Sequence, residues 1–152
     1  MNPYSKKPIL ICDIDGVIAD VTHRLHHIQE KPQNWDGFFE ECDSDKPITT
    51  TIDFLRAARD SFEIAYITGR PRSVREKTIA WFKSNYVPWQ DWMVLAMRGN
   101  GDHRQDWIVK LELFDEWIDK TRVRAILEDR DQVVQMWRDK GYLCLQNKKG
   151  DY

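Results

Sequence analysis

Cysteines are few in this chain, and long apolar runs are missing from it. Its three cysteines are an odd number for disulfide pairing, and Cys12 and Cys144 lie within apolar runs. We therefore expect buried, reduced thiols and a cytosolic protein. No apolar run is long enough to span a bilayer, and the polar start, Met1 to Pro8, lacks the apolar segment of a signal peptide. Membrane insertion and export are therefore not expected.

A strong excess of one charge is also missing. The formal net charge is −2, so nothing attracts a nucleic acid to the molecule as a whole, and such a partner would need a local basic patch. Hydrophobic residues make up 41% and charged residues 32%, which is typical of a folded domain. At 152 residues the chain is predicted to form one domain, residues 1–152.

What the chain does contain is an alternation of strand-length apolar runs and amphipathic stretches of helical length. This pattern predicts an α/β fold with a doubly wound, mostly parallel sheet of five strands. The predicted strands are Ile9–Asp13, Glu63–Thr68, Met93–Met97, Val123–Leu127 and Tyr142–Gln146. A polar segment at about 20–47 is predicted to be a small insertion with a short helix around residues 35–42.

Two helices carry more detailed predictions. Ser73 and Glu76 have the spacing of a capping box, which predicts the start of a helix. A later helix is predicted over residues 105–119, with Ile108, Leu111 and Ile118 facing inward.

Polar residues follow three of the predicted strands. These residues are Asp13, Asp15, Thr68, Glu128 and Asp129. In open parallel sheets, ligands bind beyond the carboxyl ends of the strands. Side chains from three separate strands are therefore expected to meet in one crevice, which packing alone does not explain.

The first of these groups has the chemistry of a covalent phosphatase. Asp13 and Asp15 surround Ile14 directly after a buried strand, and Gly16 then allows a close turn. One carboxylate can attack phosphorus while the other donates and accepts the proton. By itself the pair fits a metal site of another enzyme class, or a plain turn at a strand end, equally well.

Further polar residues fit the same chemistry. The hydroxyl of Thr68 and the backbone at Gly69 can hold phosphate oxygens, and Arg70 can clamp a phosphate with two hydrogen bonds. An ordinary turn with a surface arginine is the alternative. Asp106 and Lys110 are four residues apart and share one helix face, so Lys110 can neutralise a nucleophile, or the two can form a plain surface ion pair.

The adjacent acidic residues Glu128 and Asp129 indicate a cation. Two carboxylates placed together repel each other, and a hard ion such as Mg²⁺, which prefers oxygen ligands, relieves that repulsion. The order of all four groups along the chain is more specific than any one of them.

With these motifs in this order, the chain resembles the haloacid dehalogenase superfamily. Within it, the chain is similar to the 3′-phosphatase domain of phage-type polynucleotide kinase-phosphatases over nearly its whole length. The segments that carry the resemblance are ILICDIDGVIAD, CDSDKP, AYITGR, GDHRQDWIVK, AILEDRDQVVQMWRDKGY and GDY. The resemblance implies a HAD-like Rossmannoid fold with a minimal cap insertion.

The resemblance also implies roles for the acidic residues. Asp13 would be the nucleophile, and Asp15 the acid and base. Asp13, Asp129 and the Asp15 backbone carbonyl would bind Mg²⁺ directly, with Glu128 acting through water.

Other residues would bind the substrate. Thr68, Gly69 and Lys110 would hold the phosphate, and Asp106 would orient Lys110. The arginines associated by resemblance with the substrate or its scaffold are Arg24, Arg70 and Arg130. The histidines His23, His26 and His27 lack the ligand spacing of a metal site. Trp35, Phe38 and Phe39 in the insertion are expected to pack against the body rather than stack on a base.

The implied activity is Mg²⁺-dependent removal of 3′-phosphate from nucleic acid ends, with free nucleotides or other small phosphoesters as the alternative substrates. These residues contain no GxxxxGK[ST] loop, so a 5′-kinase activity is not expected of them, and a separate kinase or ligase partner is expected instead. An alternative class of protein is a receiver-like phosphoacceptor, which is phosphorylated without turnover. Receivers, however, place their acceptor aspartate after the third strand, whereas here Asp13 and Asp15 follow the first predicted strand.

Overall fold

A central sheet of five parallel strands organises the protein. The computed structural model describes residues 6–150. The strands are β1 (Ile9–Cys12), β2 (Ala19–Asp20), β3 (Lys46–Pro47), β4 (Glu63–Pro71), β5 (Leu95–Arg98), β6 (Val123–Arg130) and β7 (Cys144–Gly150). The helices are α1 (His26–Gln29), α2 (Trp35–Glu40), α3 (Thr49–Ala58), α4 (Arg75–Ser84), α5 (Asp106–Trp117) and α6 (Asp131–Asp139). The predicted α/β architecture with five main strands is confirmed.

The strand order places β1 in the middle of the sheet. The order is β5-β4-β1-β6-β7, and each neighbouring pair is parallel. From β1 the chain builds one half of the sheet through β4 and β5, and then crosses over to β6 and β7. The point where this direction reverses lies beside β1, where ligands bind in doubly wound sheets.

Two hydrophobic cores, one on each face, hold the helices on the sheet. Alternate residues of a strand point to opposite faces, so Leu10 and Cys12 pack with α3 and α4, whereas Ile9 and Ile11 pack with α5 and α6. All three cysteines are buried and unpaired, as predicted. Within residues 6–150, no helix has both the length and the apolar character needed to cross a membrane.

The insertion is a small unit attached by a two-stranded ribbon. β2 and β3 pair antiparallel through Ala19 with Pro47 and Asp20 with Lys46, which brings the two ends of the insertion together. Between them, Val21, Ile28 and Phe38 form a separate hydrophobic cluster. The insertion is therefore fixed beside the carboxyl end of β1.

One local prediction is wrong, and another is confirmed only in part. The capping box does not form: residues 72–74 make a 3-10 turn, α4 starts at Arg75, and the Ser73 N–H donates to Asn100 Oδ1 at 2.8 Å instead. The tighter turn moves the helix start past Ser73. Of the residues predicted to face inward near α5, Ile118 is buried and Leu111 packs against the core, but Ile108 is only partly buried. The buried stripe of α5 runs instead through Val109, Lys110 and Leu113.

Packing of α5 on the sheet should account for much of the stability. Leu113 is only 6% exposed. Truncation to alanine should leave a cavity, so Leu113→Ala should lower the free energy of unfolding by about 2–5 kcal/mol, measured by urea denaturation. Trp117→Ala on the same helix is the control, since Trp117 is 48% exposed and its loss should change stability by about 0.5 kcal/mol. Equal losses in both variants would contradict this account of the core.

Candidate active site

A buried lysine is surrounded by three carboxylates at the carboxyl end of β1. Lys110 Nζ lies 2.9 Å from Asp13 Oδ2, 3.0 Å from Asp106 Oδ2 and 2.8 Å from Glu128 Oε2. The Lys110 side chain is 2% exposed. The predicted sharing of one helix face by Asp106 and Lys110 is therefore confirmed, and the pair is buried rather than solvated.

Strand alternation explains why these groups meet. Asp13 continues the series of Ile9 and Ile11, whose side chains face α5, and Glu128 likewise continues from Ile126. Both carboxylates therefore point toward the start of α5, where Lys110 lies one turn after Asp106.

The close packing of these charges changes their protonation. Burial alone would lower the pKa of Lys110, but Asp106, Asp13 and Glu128 together raise it well above its ordinary value. The ammonium form of Lys110 is therefore favoured. Burial raises the pKa of Asp13 and of Glu128, and in both cases Lys110 opposes the shift.

Three acidic residues could hold a metal ion. One carboxylate oxygen from each of Asp13, Glu128 and Asp129 lies within 4.8 Å of the other two, and all three residues are buried. Within the described residues, Asp13 Oδ1 is buried and has no hydrogen-bond partner. These three carboxylates carry more negative charge than the one adjacent ammonium group can balance, and their oxygens are the ligands that a hard divalent cation prefers. β7 passes close by, and a Cβ at Gly150 would overlap the Asp129 carboxylate.

Asp15 lies outside this cluster, with its side chain held by two arginines. Its Oδ1 accepts hydrogen bonds from Arg24 Nη2 at 2.7 Å and from Arg70 Nε and Nη2 at 2.8 and 2.6 Å. Burial by itself would raise the pKa of Asp15, but Arg70 and Arg24 hold it below its ordinary value. The carboxylate form is therefore favoured.

Asp45, which we did not single out from the sequence, connects the same two arginines. Its Oδ1 accepts from Arg24 Nε at 2.7 Å, and its Oδ2 accepts from Arg24 Nη2 at 2.7 Å and from Arg70 Nη2 at 2.8 Å. The Trp81 indole donates to the Asp45 carbonyl at 2.8 Å. Asp15, Asp45, Arg24 and Arg70 thus form a neutral network, and CDSDKP was its signal in the sequence. His23 Nε2 also lies 2.9 Å from Asp45 Oδ1, within hydrogen-bond distance.

Neither of these arginines reaches the cleft. Arg24 and Arg70 are fully buried, and the remaining donors bond to Phe38 O at 3.1 Å and Thr78 Oγ1 at 3.3 Å. Thr68 is buried as well, and its Oγ1 accepts from the Arg70 N–H at 3.2 Å. The predicted phosphate clamp by Arg70 therefore has no support in this geometry, in which both arginines orient Asp15.

Arg98 is another residue that was not predicted from the sequence, and it holds the start of α5 in place. Its guanidinium donates to Asp106 Oδ1 at 2.9 Å and to Gly69 O at 3.0 Å. Gly69 is required there, because a Cβ would lie 2.5 Å from Asp106 Oδ1. Arg130 Nη1 lies 3.6 Å from Asp106 Oδ2, so this carboxylate collects several cations.

The cluster opens into a cleft of about 340 Å³. Asp13, Asp15 and Lys110 lie on it, with Gly69, Asp106 and Arg130. The insertion supplies one side through Trp35, Phe38 and Phe39, and the residues from Arg98 to Gln105 supply much of the other.

Comparison with protein families identifies this arrangement. Residues 7–152 match the model described as the polynucleotide kinase PNKP phosphatase domain. The chain belongs to this family. As a member of this phosphatase family within the haloacid dehalogenase superfamily, it is a phosphoric monoester hydrolase rather than a receiver-like switch.

Two longer proteins resemble this phosphatase domain along most of its length. A chain in the structure of the Pnkp1/Rnl/Hen1 RNA repair complex is 30% identical with a TM-score of 0.80, covering 97% of our chain and 45% of that one. A protein of Autographa californica nuclear polyhedrosis virus, described as a bifunctional polynucleotide kinase/RNA ligase, is 28% identical over 144 residues, or 94% of our chain and 20% of its own length. The phosphatase domain thus spans less than half of either relative.

More distant structures share the fold. The class C acid phosphatase from Bacillus anthracis with tungstate bound is 17% identical, with a TM-score of 0.67 over 99% of our chain and 70% of its own. A HAD family enzyme from Bacteroides thetaiotaomicron, in complex with magnesium and inorganic phosphate, is 13% identical, with a TM-score of 0.52 over 96% of both chains.

Removing the charge of Lys110 should make stability strongly pH-dependent. Lys110→Met leaves three buried carboxylates without their ammonium group, which should cost roughly 3–5 kcal/mol at neutral pH. Burial already raises the pKa of Asp13 and Glu128, and losing Lys110 raises both further. A group whose pKa is higher in the folded than in the unfolded protein stabilises the fold at low pH, and this stabilisation is lost as pH rises through the folded pKa. The loss of unfolding free energy in Lys110→Met should therefore become smaller as pH falls from neutral toward about 5.

The measurement is the free energy of unfolding in urea, with chelator present, at pH values from neutral to about 5. Lys120→Met is the control, because its ion pair with Asp115 is half exposed and should contribute less than about 1 kcal/mol. A deficit in Lys110→Met that did not change with pH would contradict the electrostatic explanation.

Asp45 should matter to stability and catalysis alike. In Asp45→Asn an amide N–H₂ faces a guanidinium donor, so we expect a loss on the order of 3 kcal/mol in unfolding free energy and a lower kcat in phosphatase assays. His23→Ala removes a third side chain that bonds to the Asp45 carboxylate besides Arg24 and Arg70. Because His23 is 38% exposed, this substitution should cost less than about 1 kcal/mol. Normal kcat in Asp45→Asn would show that the network does not position Asp15.

Proposed function

We propose that this phosphatase removes 3′-phosphate from nucleic acid ends through an aspartyl-phosphate on Asp13, with Mg²⁺ as cofactor. One observation carries the proposal. Asp13 is buried at the end of the central strand, 2.9 Å from the Lys110 ammonium and beside the oxygens of Glu128 and Asp129.

The first half of the reaction transfers the phosphoryl group. An Asp13 carboxylate oxygen bonds to phosphorus while the bond from phosphorus to the leaving oxygen breaks. Asp15 gives its proton to that oxygen, so this step uses its protonated form, which Arg24 and Arg70 disfavour. Burial raises the pKa of Asp13, and Lys110 opposes that rise and so favours the ionised nucleophile. The same ammonium neutralises charge on the phosphate. Asp106 and Arg98 hold Lys110 and the start of α5 in place for this contact.

In the second half, Asp15 takes a proton from water, whose oxygen attacks phosphorus and releases inorganic phosphate and free Asp13. The two arginines that lower the pKa of Asp15 favour this base form. We assign to Arg24, Arg70 and Asp45 the positioning of Asp15, and to Gly69, Thr68 and Arg130 the shaping of the phosphate site around it.

Asp13, Asp129 and the Asp15 carbonyl would bind Mg²⁺ directly, with Glu128 acting through water. When bound, this cation offsets negative charge on the carboxylates and on the phosphate. Its fit rests on the buried carboxylate oxygens and on Asp13 Oδ1, which has no hydrogen-bond partner within the described residues.

The proposed substrate follows from the family. Two relatives that match almost all of this chain are a component of an RNA repair complex and a polynucleotide kinase/RNA ligase, and both names refer to the processing of nucleic acids. We infer that the phosphatase acts alongside kinase and ligase activities supplied by further domains or by separate proteins. The alternative substrates are free nucleotides and other small phosphoesters.

A substrate panel should separate these possibilities. Measured with Mg²⁺, a 3′-phosphorylated oligonucleotide should have a higher kcat/KM than free nucleotides or an aryl phosphate, and chelator should abolish all turnover. Asp13→Asn should keep its shape and melting curve but lose activity, since the amide cannot attack phosphorus. Equal or better hydrolysis of free nucleotides would sink the polymer assignment, and activity in Asp13→Asn would refute the nucleophile.

A further inference from the structure

The cleft has an aromatic wall that phosphate hydrolysis does not require. Trp35, Phe38 and Phe39, hereafter the aromatic wall, line the same cleft as Asp13 and Lys110. The rings of Trp35 and Phe39 are 6.0 Å apart between centroids and 27° apart in plane, and both side chains remain partly exposed. A flat apolar surface beside a phosphate site indicates that the enzyme also recognises an apolar part of the substrate.

The wall is anchored to the catalytic groups. Phe38 is 2% exposed, and its ring lies 4.1 Å from the Arg24 guanidinium carbon, while its carbonyl accepts from Arg24 Nη1. Arg24 in turn bonds to Asp15. A group resting on the wall is therefore held at a fixed position relative to the proton donor, which is the use of substrate-positioning residues.

The cleft lacks a track for a phosphate backbone. Of the described residues that line it, five are aspartates and four are lysine or arginine. Each of these four basic side chains already forms an ion pair with an acidic residue. The pairs are Arg98 and Arg130 with Asp106, Arg104 with Asp102 and Glu112, and Lys110 with its three carboxylates. Binding through successive phosphates needs a groove that is positive along its length.

We propose that the enzyme recognises its substrate through the terminal nucleobase, which stacks on the aromatic wall, and makes little contact with the backbone beyond that nucleotide. The inference rests on the proposed function and specifies which part of a nucleic acid end is read. Every base has a flat face, so the wall tolerates any terminal base.

The test compares two 3′-phosphorylated oligonucleotides of equal length, one ending in an ordinary nucleotide and one in an abasic nucleotide. The parent enzyme should have a kcat/KM about 5- to 150-fold higher for the substrate with the base, the range expected of one stacked base. Trp35→Ala should narrow this ratio toward one, and Trp35→Phe should preserve most of it. Because the ratio does not depend on the folded fraction, partial misfolding of a variant leaves it interpretable.

Trp117→Ala is the matched control, since this half-exposed tryptophan lies at the far end of α5 and should leave the ratio as in the parent. Equal turnover of both substrates by the parent would overturn the stacking inference while leaving the 3′-phosphatase proposal intact. Hydrolysis of neither substrate would refute the proposed function, and this inference with it.

Salt dependence offers an independent readout. Each backbone phosphate held by a cation adds about −0.7 to the slope of log affinity against log salt for single strands. A long oligonucleotide and a dinucleotide, both 3′-phosphorylated, should therefore give the same shallow slope in kcat/KM. A slope that steepens with length would show a backbone track and contradict the inference.

Discussion

The site depends on one buried ammonium group among carboxylates. Without the positive charge of Lys110, Asp13, Asp106 and Glu128 could not share a site at such short distances while ionised. The contact also joins separate parts of the chain, since it connects the ends of β1 and β6 to the first turn of α5. The position of α5 on the sheet therefore matters to the proposed chemistry. The hydrophobic face of this helix stabilises the fold and places the ammonium beside Asp13, the proposed nucleophile.

A second charge network makes the insertion part of the active site. Arg24 and Asp45 come from the insertion, Arg70 from the end of β4 and Asp15 from the turn after β1. The four side chains balance one another in charge and leave Asp15 with a lowered pKa. The two networks prepare neighbouring aspartates differently, because Asp13 faces one ammonium and further carboxylates while Asp15 faces two guanidinium groups. The two networks therefore shift the pKa values of these neighbouring aspartates in opposite directions, upward for Asp13 and downward for Asp15.

The sequence predicts the structure correctly where local pattern and chemistry agree. Apolar runs identified all five main strands, and their carboxyl ends located Asp13, Thr68, Glu128 and Asp129. Helical spacing placed Asp106 and Lys110 on one face. Prediction from the sequence failed where the partner of a residue is distant along the chain. Arg70 looked like a phosphate clamp because its buried partner Asp45 could not be inferred. The predicted capping box at Ser73 does not form, and the Ser73 N–H donates to the distant Asn100 instead.

The sequence by itself determined the fold class, the edge of the sheet that carries the chemistry, and the family, because these follow from periodicity and from short motifs that are contiguous in the chain. Only the tertiary structure decided how the charges are paired and which side chains face the cleft. Arg24 and Arg70 are fully buried and bond to Asp15, while Trp35 lines the cleft. The reason is physical: the cost of burying a charge depends on the neighbours that long-range packing provides, and no local pattern records those neighbours.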